Sequence, residues 1–331
     1  MMNRFLVSAG LALALAACGG GDSGGSPPAT GGGGTPTPAP TPSPTPTYSL
    51  FSALTGDQQF KSACAGTTEQ AGQISLFSDV GFIRSSTFPL AIDHDFLSAT
   101  SSWRIASRSP DGLDYAYTFT PADIISTTQP NTVAYRQVAS DGFGNRFAIT
   151  HPTFGTTPAE YVRTTRVFNR PASILSNAFC VIGVPTLLND RPSTSISYTQ
   201  FSYNGTAFVT DLTTAVRRQF DISTSTAELT ANPTTGAVSV TVAIVGRELL
   251  SDGSLSPTST ALGTYTGQSV IDGTQQTFAA PFSRVPDGSV GGGFSGWFFG
   301  PQGREAGLAF GFRIIDGNND IVLGGALTAR R

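Results

Sequence analysis

Charged residues are scarce in this sequence. Only 12% of its 331 residues are charged, against about a quarter in typical soluble domains, and Lys61 is the one lysine. The net charge of −3 and the lack of a basic stripe exclude nucleic acid as a partner. Histidine is scarcer still: a Ser-His-Asp triad would have to use His94 or His151, and no Gly-x-Ser-x-Gly elbow occurs after residue 47. The sequence therefore predicts a protein that is not an enzyme.

Long apolar runs are missing as well, apart from one at the N-terminus that is too short for a membrane helix. Residues Phe5 to Leu15 follow a single arginine and lead into Leu-Ala-Ala-Cys, which ends at Cys18. This order is typical of a bacterial signal peptide, here residues 1–17, followed by a cysteine that becomes lipidated. An ordinary Ala-x-Ala cleavage beside an incidental cysteine is the alternative. Because Gly19 follows Cys18 and an aspartate does not, we expect a lipid anchor in the outer membrane.

The segment after Cys18 cannot build a core. Residues 18–47 consist almost entirely of Gly, Pro, Thr, Ser and Ala. Gly-rich chains are flexible coils, whereas alternating Thr and Pro form a stiff spacer of about 3 Å per residue. The sequence therefore predicts a disordered linker that carries a folded body, beginning at Tyr48, away from the membrane.

Cysteine is limited to three residues, of which Cys64 and Cys180 lie in the folded body. In an exported protein such a pair is most simply a disulfide. Two buried free thiols are the alternative, because sequence does not give the distance between the two side chains.

What the body has in quantity is alternation of apolar and polar residues, which predicts β-strands with one buried face. The clearest example is Val238–Ile244, in which Val and Ile alternate with Ser, Thr and Ala. Turn sequences at Asn232–Gly236 and Asp316–Asp320 separate such runs. The second is a hairpin turn and not a calcium loop, because it lacks the required Gly and Glu. Over residues 48–180 the strands are shorter, and little helix is expected.

The C-terminal stretch from Gly296 to Phe312, GWFFGPQGREAGLAFGF, resembles a motif of the transferrin-binding protein B family of surface lipoproteins. In that family an aromatic strand runs into Gly-Pro, then a turn with a Glu, then Gly and a second aromatic strand. The residues that fit are Trp297, Phe298, Phe299, Gly300, Pro301, Glu305, Gly307 and Phe310. A second stretch, Phe179–Ala207, resembles the family's crossing into its barrel, through Gly183, Pro185, Thr186, Pro192, Tyr198 and Gly205.

The resemblance implies a mainly β fold: a β-rich, handle-like domain over residues 48–180, followed by a soluble eight-stranded antiparallel β-barrel over residues 181–331. Phe179–Arg191 would be the hinge, and Ala207–Thr210 is either a short strand or a loop. The aromatic side chains of the C-terminal motif are expected to fill the barrel and not to form a binding site.

The resemblance also implies a function. The chain would be a monomeric, outer-membrane-anchored surface lipoprotein that binds a host or environmental protein, or an iron or haem-type solute, for uptake by an outer-membrane receptor. Transferrin itself is not implied, because this chain has one two-domain unit where the family has two. A hydrolase or acyltransferase on a barrel scaffold is one alternative. A structural or immune-evasion surface lipoprotein without a small ligand is the other.

No cofactor is predicted, but haem is a candidate ligand because an imidazole can ligate haem iron and some relatives with this build are haem carriers. The candidate ligands are His94, within Asp93-His94-Asp95, and His151, which precedes Pro152. The alternative for His94 is a loop between strands whose polar side chains face water. The alternative for His151 is a residue at a strand end or turn.

Overall fold

A computed structural model describes residues 47–60, 62–70, 73–80, 91–108, 115–138, 144–169, 175–274, 276–286 and 288–331. Residues 45–331 form one compact unit. The predicted signal peptide, Cys18 and nearly all of the linker lie outside the described residues. Within the described part of the chain, no helix combines the length and the apolar character that crossing a membrane requires.

The first half of the body forms two main antiparallel sheets and a short two-stranded one. A four-stranded sheet has the order β1-β4-β5-β6, and a seven-stranded sheet has the order β3-β2-β13-β12-β9-β8-β7. The strands are β1 (Gln58–Phe60), β2 (Ser62–Gln70), β3 (Gln73–Val80), β4 (Ala91–Leu97), β5 (Ser102–Arg108), β6 (Tyr115–Phe119), β7 (Ile124–Ile125), β8 (Thr132–Val138), β9 (Gly144–Thr150), β10 (Thr153–Phe154), β11 (Thr157–Pro158), β12 (Val162–Asn169) and β13 (Leu175–Gly183).

The second half forms one ten-stranded antiparallel sheet. Its strands are β14 (Ile196–Tyr198), β15 (Gln200–Asp211), β16 (Arg217–Asp221), β17 (Thr226–Ala231), β18 (Ala237–Leu249), β19 (Leu255–Val270), β20 (Thr277–Val285), β21 (Gly288–Phe299), β22 (Glu305–Asp316) and β23 (Asn319–Arg330). Because β18 pairs with both β16 and β19, the pairings described run round eight strands, β16-β15-β23-β22-β21-β20-β19-β18, and return to β16. Helix is limited, over the same described ranges, to 3-10 turns at Phe51–Ala53, Ser98–Thr100, Pro121–Asp123 and Pro301–Gly303. The prediction of a mainly β fold is confirmed.

Alternation decides which side chains fill the ring of strands. Along β18, Val238, Val240, Val242 and Ile244 are buried, while Ser239 between them is exposed. These residues join one apolar core with six phenylalanines of β20, β21 and β22: Phe278, Phe282, Phe294, Phe298, Phe310 and Phe312. The turn predicted at Asp316–Asp320 is the hairpin between β22 and β23.

Two local predictions were wrong, and one open choice is decided by the structure. Asp93-His94-Asp95 is not a loop in solvent but part of β4, which pairs with β1 and β5. The apolar residues on either side of this segment continue the alternation of a strand, and the two aspartates obscure that pattern in the sequence. The proposed hinge at Phe179–Arg191 begins inside β13, which continues to Gly183. Ala207–Thr210, where the sequence left a short strand and a loop open, is part of the long strand β15. The boundary between residues 180 and 181 stays a prediction, and it falls within β13.

The seven-stranded sheet is covered on both faces. One face packs on the four-stranded sheet through a core that contains Trp103, Phe119, Phe147, Cys64 and Cys180. The opposite face packs on the outside of β21 and β23 through a second core. Because side chains alternate along β12 and β13, neighbouring residues of one strand serve different cores. The seven-stranded sheet is therefore the middle of three layers, between the four-stranded sheet and the ring of strands.

Candidate functional site

The C-terminal motif builds the seam between the seven-stranded sheet and the ring of strands. Trp297 and Phe299 pack outward against the seven-stranded sheet, while Phe298 between them points into the ring and joins its core. Trp297 is 1% and Phe299 0% exposed. The expectation that the motif's aromatic residues fill the barrel therefore holds for Phe298 and Phe310, whereas Trp297 and Phe299 join the two halves.

Glu305, the acid of the same motif, joins the two halves by hydrogen bonds. Its fully buried carboxylate accepts from the backbone N–H groups of Glu160, Tyr161 and Val162 at 2.7, 2.8 and 3.0 Å. These three donors stand at the entry to β12, on the other side of the seam. A buried carboxylate needs such donors, and three aligned N–H groups satisfy it.

Glycine allows the two halves to approach closely at the seam. Gly300 has φ +69°, and a Cβ there would lie 2.4 Å from Cδ2 of Tyr161. A Cβ on Gly307 would lie 3.0 Å from Cβ of Val181 on β13. The seam therefore depends on the absence of side chains at positions that the motif reserves for Gly.

Beside the seam, the seven-stranded sheet and strands β15 and β16 enclose a cleft with two chambers. The first, which we call the His151 chamber, has a volume of about 610 Å³ and lies between residues 128–132, residues 150–153, β15 and the β18–β19 hairpin. The second, the Arg166 chamber, has a volume of about 460 Å³ and lies between β8, β9, β12, β13 and the outer face of β15 and β16. Gln129, Arg166 and Gln219 line both chambers.

Arg166 is the one charged residue among the three that line both chambers. Its Nε donates to Oδ1 of Asn177 at 3.0 Å, and its guanidinium lies over the Phe179 ring, 5.0 Å from the centroid. Burial and repulsion from Arg146 lower the pKa of Arg166, and attraction to Asp221 opposes them. Among the described residues, no carboxylate lies within ion-pair distance of this guanidinium.

His94 lies outside the cleft, on the opposite face of the seven-stranded sheet. Its ring is fully buried, with Nε2 at 2.9 Å from Oγ1 of Thr165 and Nδ1 at 3.3 Å from the carbonyl oxygen of Ile92. Burial lowers its pKa to about 4, so that the imidazole is neutral at pH 7. Iron ligation by His94 would require the two sheets to open.

The two cysteines of the body lie beside His94. Cys64 on β2 and Cys180 on β13 are direct neighbours in the strand register, with Cα atoms 4.1 Å apart, and their sulfurs are bonded at 2.11 Å. The candidate ligand atoms of Cys64, Cys180 and His94 all lie within 4.8 Å of one another. Both thiols are used by the disulfide, which leaves that cluster one nitrogen and no thiolate for a metal.

His151 is the predicted ligand residue that does line the cleft. Its Nε2–H donates to the carbonyl oxygen of Ala159 at 2.6 Å, which leaves the lone pair on Nδ1. Burial and the positive charge of Arg163 lower its pKa, while the Ala159 hydrogen bond and Glu305 act in the opposite direction. His94 and His151 are therefore not brought together.

A further surface was missed by sequence reasoning: the free edge of the seven-stranded sheet. Over the described ranges, strand β7 is the last strand of that sheet, and β8 is the one strand that it pairs with. Four apolar residues are exposed there: Ile124 (50%), Ile125 (40%), Val133 (42%) and Val138 (67%). We call these four residues the apolar edge. The signal in the sequence was an Ile-Ile pair between two turn sequences, where no strand was predicted.

The cleft was missed as well, although Arg166 lies inside a predicted strand, Thr164–Asn169. Arginine at a strand position of a charge-poor chain was the available signal. Its partners in the cleft come from β9 and β16, far away in the sequence, so the cluster could not be assembled from spacing.

Comparisons with known proteins give structures but no sequence family. No family profile and no curated protein matches this sequence. A transferrin-binding protein B double mutant from Haemophilus parasuis Hp5 is 10% identical, with a TM-score of 0.37, and the match covers 84% of this chain and 76% of that one. Isotype 1 transferrin-binding protein B from serogroup B Neisseria meningitidis is 11% identical, with a TM-score of 0.33 and coverages of 83% and 77%. HpuA from Kingella denitrificans, in complex with human haemoglobin, is 14% identical, with a TM-score of 0.34 and coverages of 83% and 87%. Transferrin-binding protein B structures are thus among those that this chain matches, as the C-terminal motif predicted.

Proposed function

We propose that this chain is a lipid-anchored surface protein that captures a protein partner through its first half, for use by an outer-membrane receptor. The signal peptide, Cys18 and the Pro-rich linker support the anchoring. The seam at Trp297, Phe299 and Glu305 supports a body whose two halves move together, so that a partner bound by one half is held by the whole. Binding, and not catalysis, is the activity that this arrangement favours.

The observation that carries the proposal is the apolar edge. A free strand with exposed Ile and Val side chains invites pairing by another chain unless something covers it. Protein partners use such edges by adding a strand and by burying the apolar side chains beside it. The four exposed side chains and the side of β7 that pairs with no other described strand supply both requirements.

The test is binding of immobilised human transferrin and human haemoglobin to the chain, measured by biolayer interferometry. These two proteins are chosen because they represent the two host iron carriers. Val133→Glu and Ile125→Glu should each weaken binding by about tenfold or more, because each places a charge in the buried contact. Leu212→Glu is the matched control, since Leu212 is equally apolar and 54% exposed but lies in the turn between β15 and β16, away from the seven-stranded sheet's edge strand β7. Equal binding by all three variants would exclude the apolar edge, and no binding of either protein would exclude both as partners.

Anchoring needs a separate test, because it depends on residues 1–47. Cys18→Ser should move the chain from the outer-membrane fraction to the soluble fraction, since one substitution removes the lipid attachment site. Antibody staining of intact cells then separates a surface orientation from a periplasmic one. Staining only after the outer membrane is permeabilised would contradict surface exposure.

Haem is a second candidate ligand, and one observation favours it: His151 lines a chamber of about 610 Å³ together with Arg166. Haem added to the purified chain should then give a Soret shift that His151→Ala removes. His94→Ala is the control, because that ring is buried behind the seven-stranded sheet. A shift that persists in the His151 variant would exclude ligation by this residue.

A further inference from the structure

We infer that the Arg166 chamber binds a small organic anion: a carboxylate, sulfonate or similar acid on a compact apolar body. Ile125 of the apolar edge lines this chamber and Arg166 also lines the His151 chamber, but the test of this site uses neither a protein partner nor haem. Its walls come from both halves of the chain, with β8, β9, β12 and β13 on one side and β15 and β16 on the other.

The charges of the chamber are unbalanced. Its lining contains the guanidinium groups of Arg146, Arg166 and Arg217 but only one carboxylate, that of Glu69. Glu69 pairs with Arg217 at 3.4 Å. Two guanidinium groups are therefore left without an ion-pair partner among the described residues, and they repel each other. This is a large local excess in a chain of which only 12% is charged.

The surroundings of Arg166 make this excess costly. The Arg166 side chain is partly buried, and in the described part of the chain one amide oxygen, Oδ1 of Asn177, accepts from its guanidinium. A buried charge is normally paired, because dehydration without a counter-charge is unfavourable. The planar guanidinium matches the two oxygens of a carboxylate, so a ligand acid can supply the missing partner.

The other walls of the chamber select an apolar body. Phe168, Leu175, Phe208 and Ile125 line it together with polar Gln and Thr side chains. Arg217 lies over the Phe208 ring, 4.2 Å from its centroid, so that one cation is held against an aromatic wall. A volume of about 460 Å³ falls within the range of pockets that take small molecules. A free inorganic anion would leave these apolar walls unused.

The experiment compares two fluorescent probes of nearly the same shape on residues 45–331, which form one compact unit. Anilinonaphthalene sulfonate carries the acid, and phenylnaphthylamine is its neutral counterpart. The sulfonate should bind saturably at one site per chain, and Arg166→Gln should weaken it by about tenfold, because a charge-assisted contact is lost. Binding of the neutral probe should change by less than about twofold. Octanoate should displace the sulfonate, and inorganic phosphate at the same concentration should not.

Controls separate loss of the site from loss of the fold. Arg104→Gln removes an exposed arginine of the four-stranded sheet that pairs with Asp95, and it should leave both probes unaffected. Arg217→Gln, at a partly exposed position of the same chamber, should also weaken the sulfonate and not the neutral probe. Equal binding of the two probes to the wild-type chain, or unchanged sulfonate binding in both chamber variants, would overturn the inference. Displacement by inorganic phosphate alone would overturn the requirement for an apolar body.

Discussion

Replacing Glu305 tests how the two halves are held together. In Glu305→Ala, the N–H groups of Glu160, Tyr161 and Val162 lose an acceptor that is fully buried. Each buried donor left unpaired costs about 1–3 kcal/mol. Water that enters the variant can satisfy some of these donors, so we expect a loss near the low end for three donors: at least about 3 kcal/mol of the unfolding free energy. Glu305→Gln keeps one acceptor oxygen, so its loss should be smaller, about 2 kcal/mol.

Equilibrium unfolding in urea, followed by tryptophan fluorescence, measures this change at two places. Trp297 lies in the seam and Trp103 in the core between the four- and seven-stranded sheets, and they are the only two tryptophans in the sequence. In a Trp103→Phe background, emission reports the seam alone. The Glu305→Ala transition seen by Trp297 should move to lower urea more than the transition seen by Trp103 in a Trp297→Phe background.

The control is Glu228→Ala on β17, because that glutamate is exposed and outside the seam. It should change stability by less than about 0.5 kcal/mol. If Glu305→Ala costs less than about 1 kcal/mol, the three hydrogen bonds do not hold the seam. If both tryptophans report the same shift, the two halves unfold as one unit, and the seam is not a separate point of weakness.

Three further predictions concern the cores and the seam. Burial lowers the pKa of His94 from 6.5 to about 4. The free energy of unfolding should therefore be constant above pH 6.5 as far as His94 is concerned, and should fall by about 3 kcal/mol as the pH drops from 6.5 to 4, because the unfolded state takes up the proton first. His94→Asn should remove this part of the pH dependence measured by urea unfolding. Reduction of the disulfide between Cys64 and Cys180, which are 116 residues apart, should cost about 2–5 kcal/mol, because the unfolded chain gains entropy; an unchanged melting temperature in a thiol reductant would contradict this. Gly300→Ala should destabilise more than Gly317→Ala: both have positive φ, but only Gly300 lies where a Cβ would meet another residue, Tyr161. Equal melting temperatures for the two variants would show that the steric contact is unimportant.

Local pattern was enough to predict the clearest strand of the second half, β18. Val238–Ile244 alternates without interruption, and the structure buries the residues that the pattern assigns to the core. Alternation did not reveal β4, because charged residues interrupt the apolar pattern there. Asp93 and Asp95 beside His94 suggested solvent, yet the strand lies between two others and its histidine is fully buried. Charged neighbours in sequence do not share the face of the residue between them.

The C-terminal motif shows most clearly what the sequence determined and what it left to the tertiary structure. Trp297, Phe298 and Phe299 predict a strand with two apolar faces, but alternation does not say what covers each face. In the fold, Phe298 packs into the core of the ring, whereas Trp297 and Phe299 pack against the seven-stranded sheet. The cleft depends on tertiary structure altogether, because Arg146, Arg166 and Arg217 meet only when β9, β12 and β16 face each other. Alternation of apolar residues and turn sequences depend on residues that are close in the chain, whereas the seam and the cleft depend on which sheets pack together.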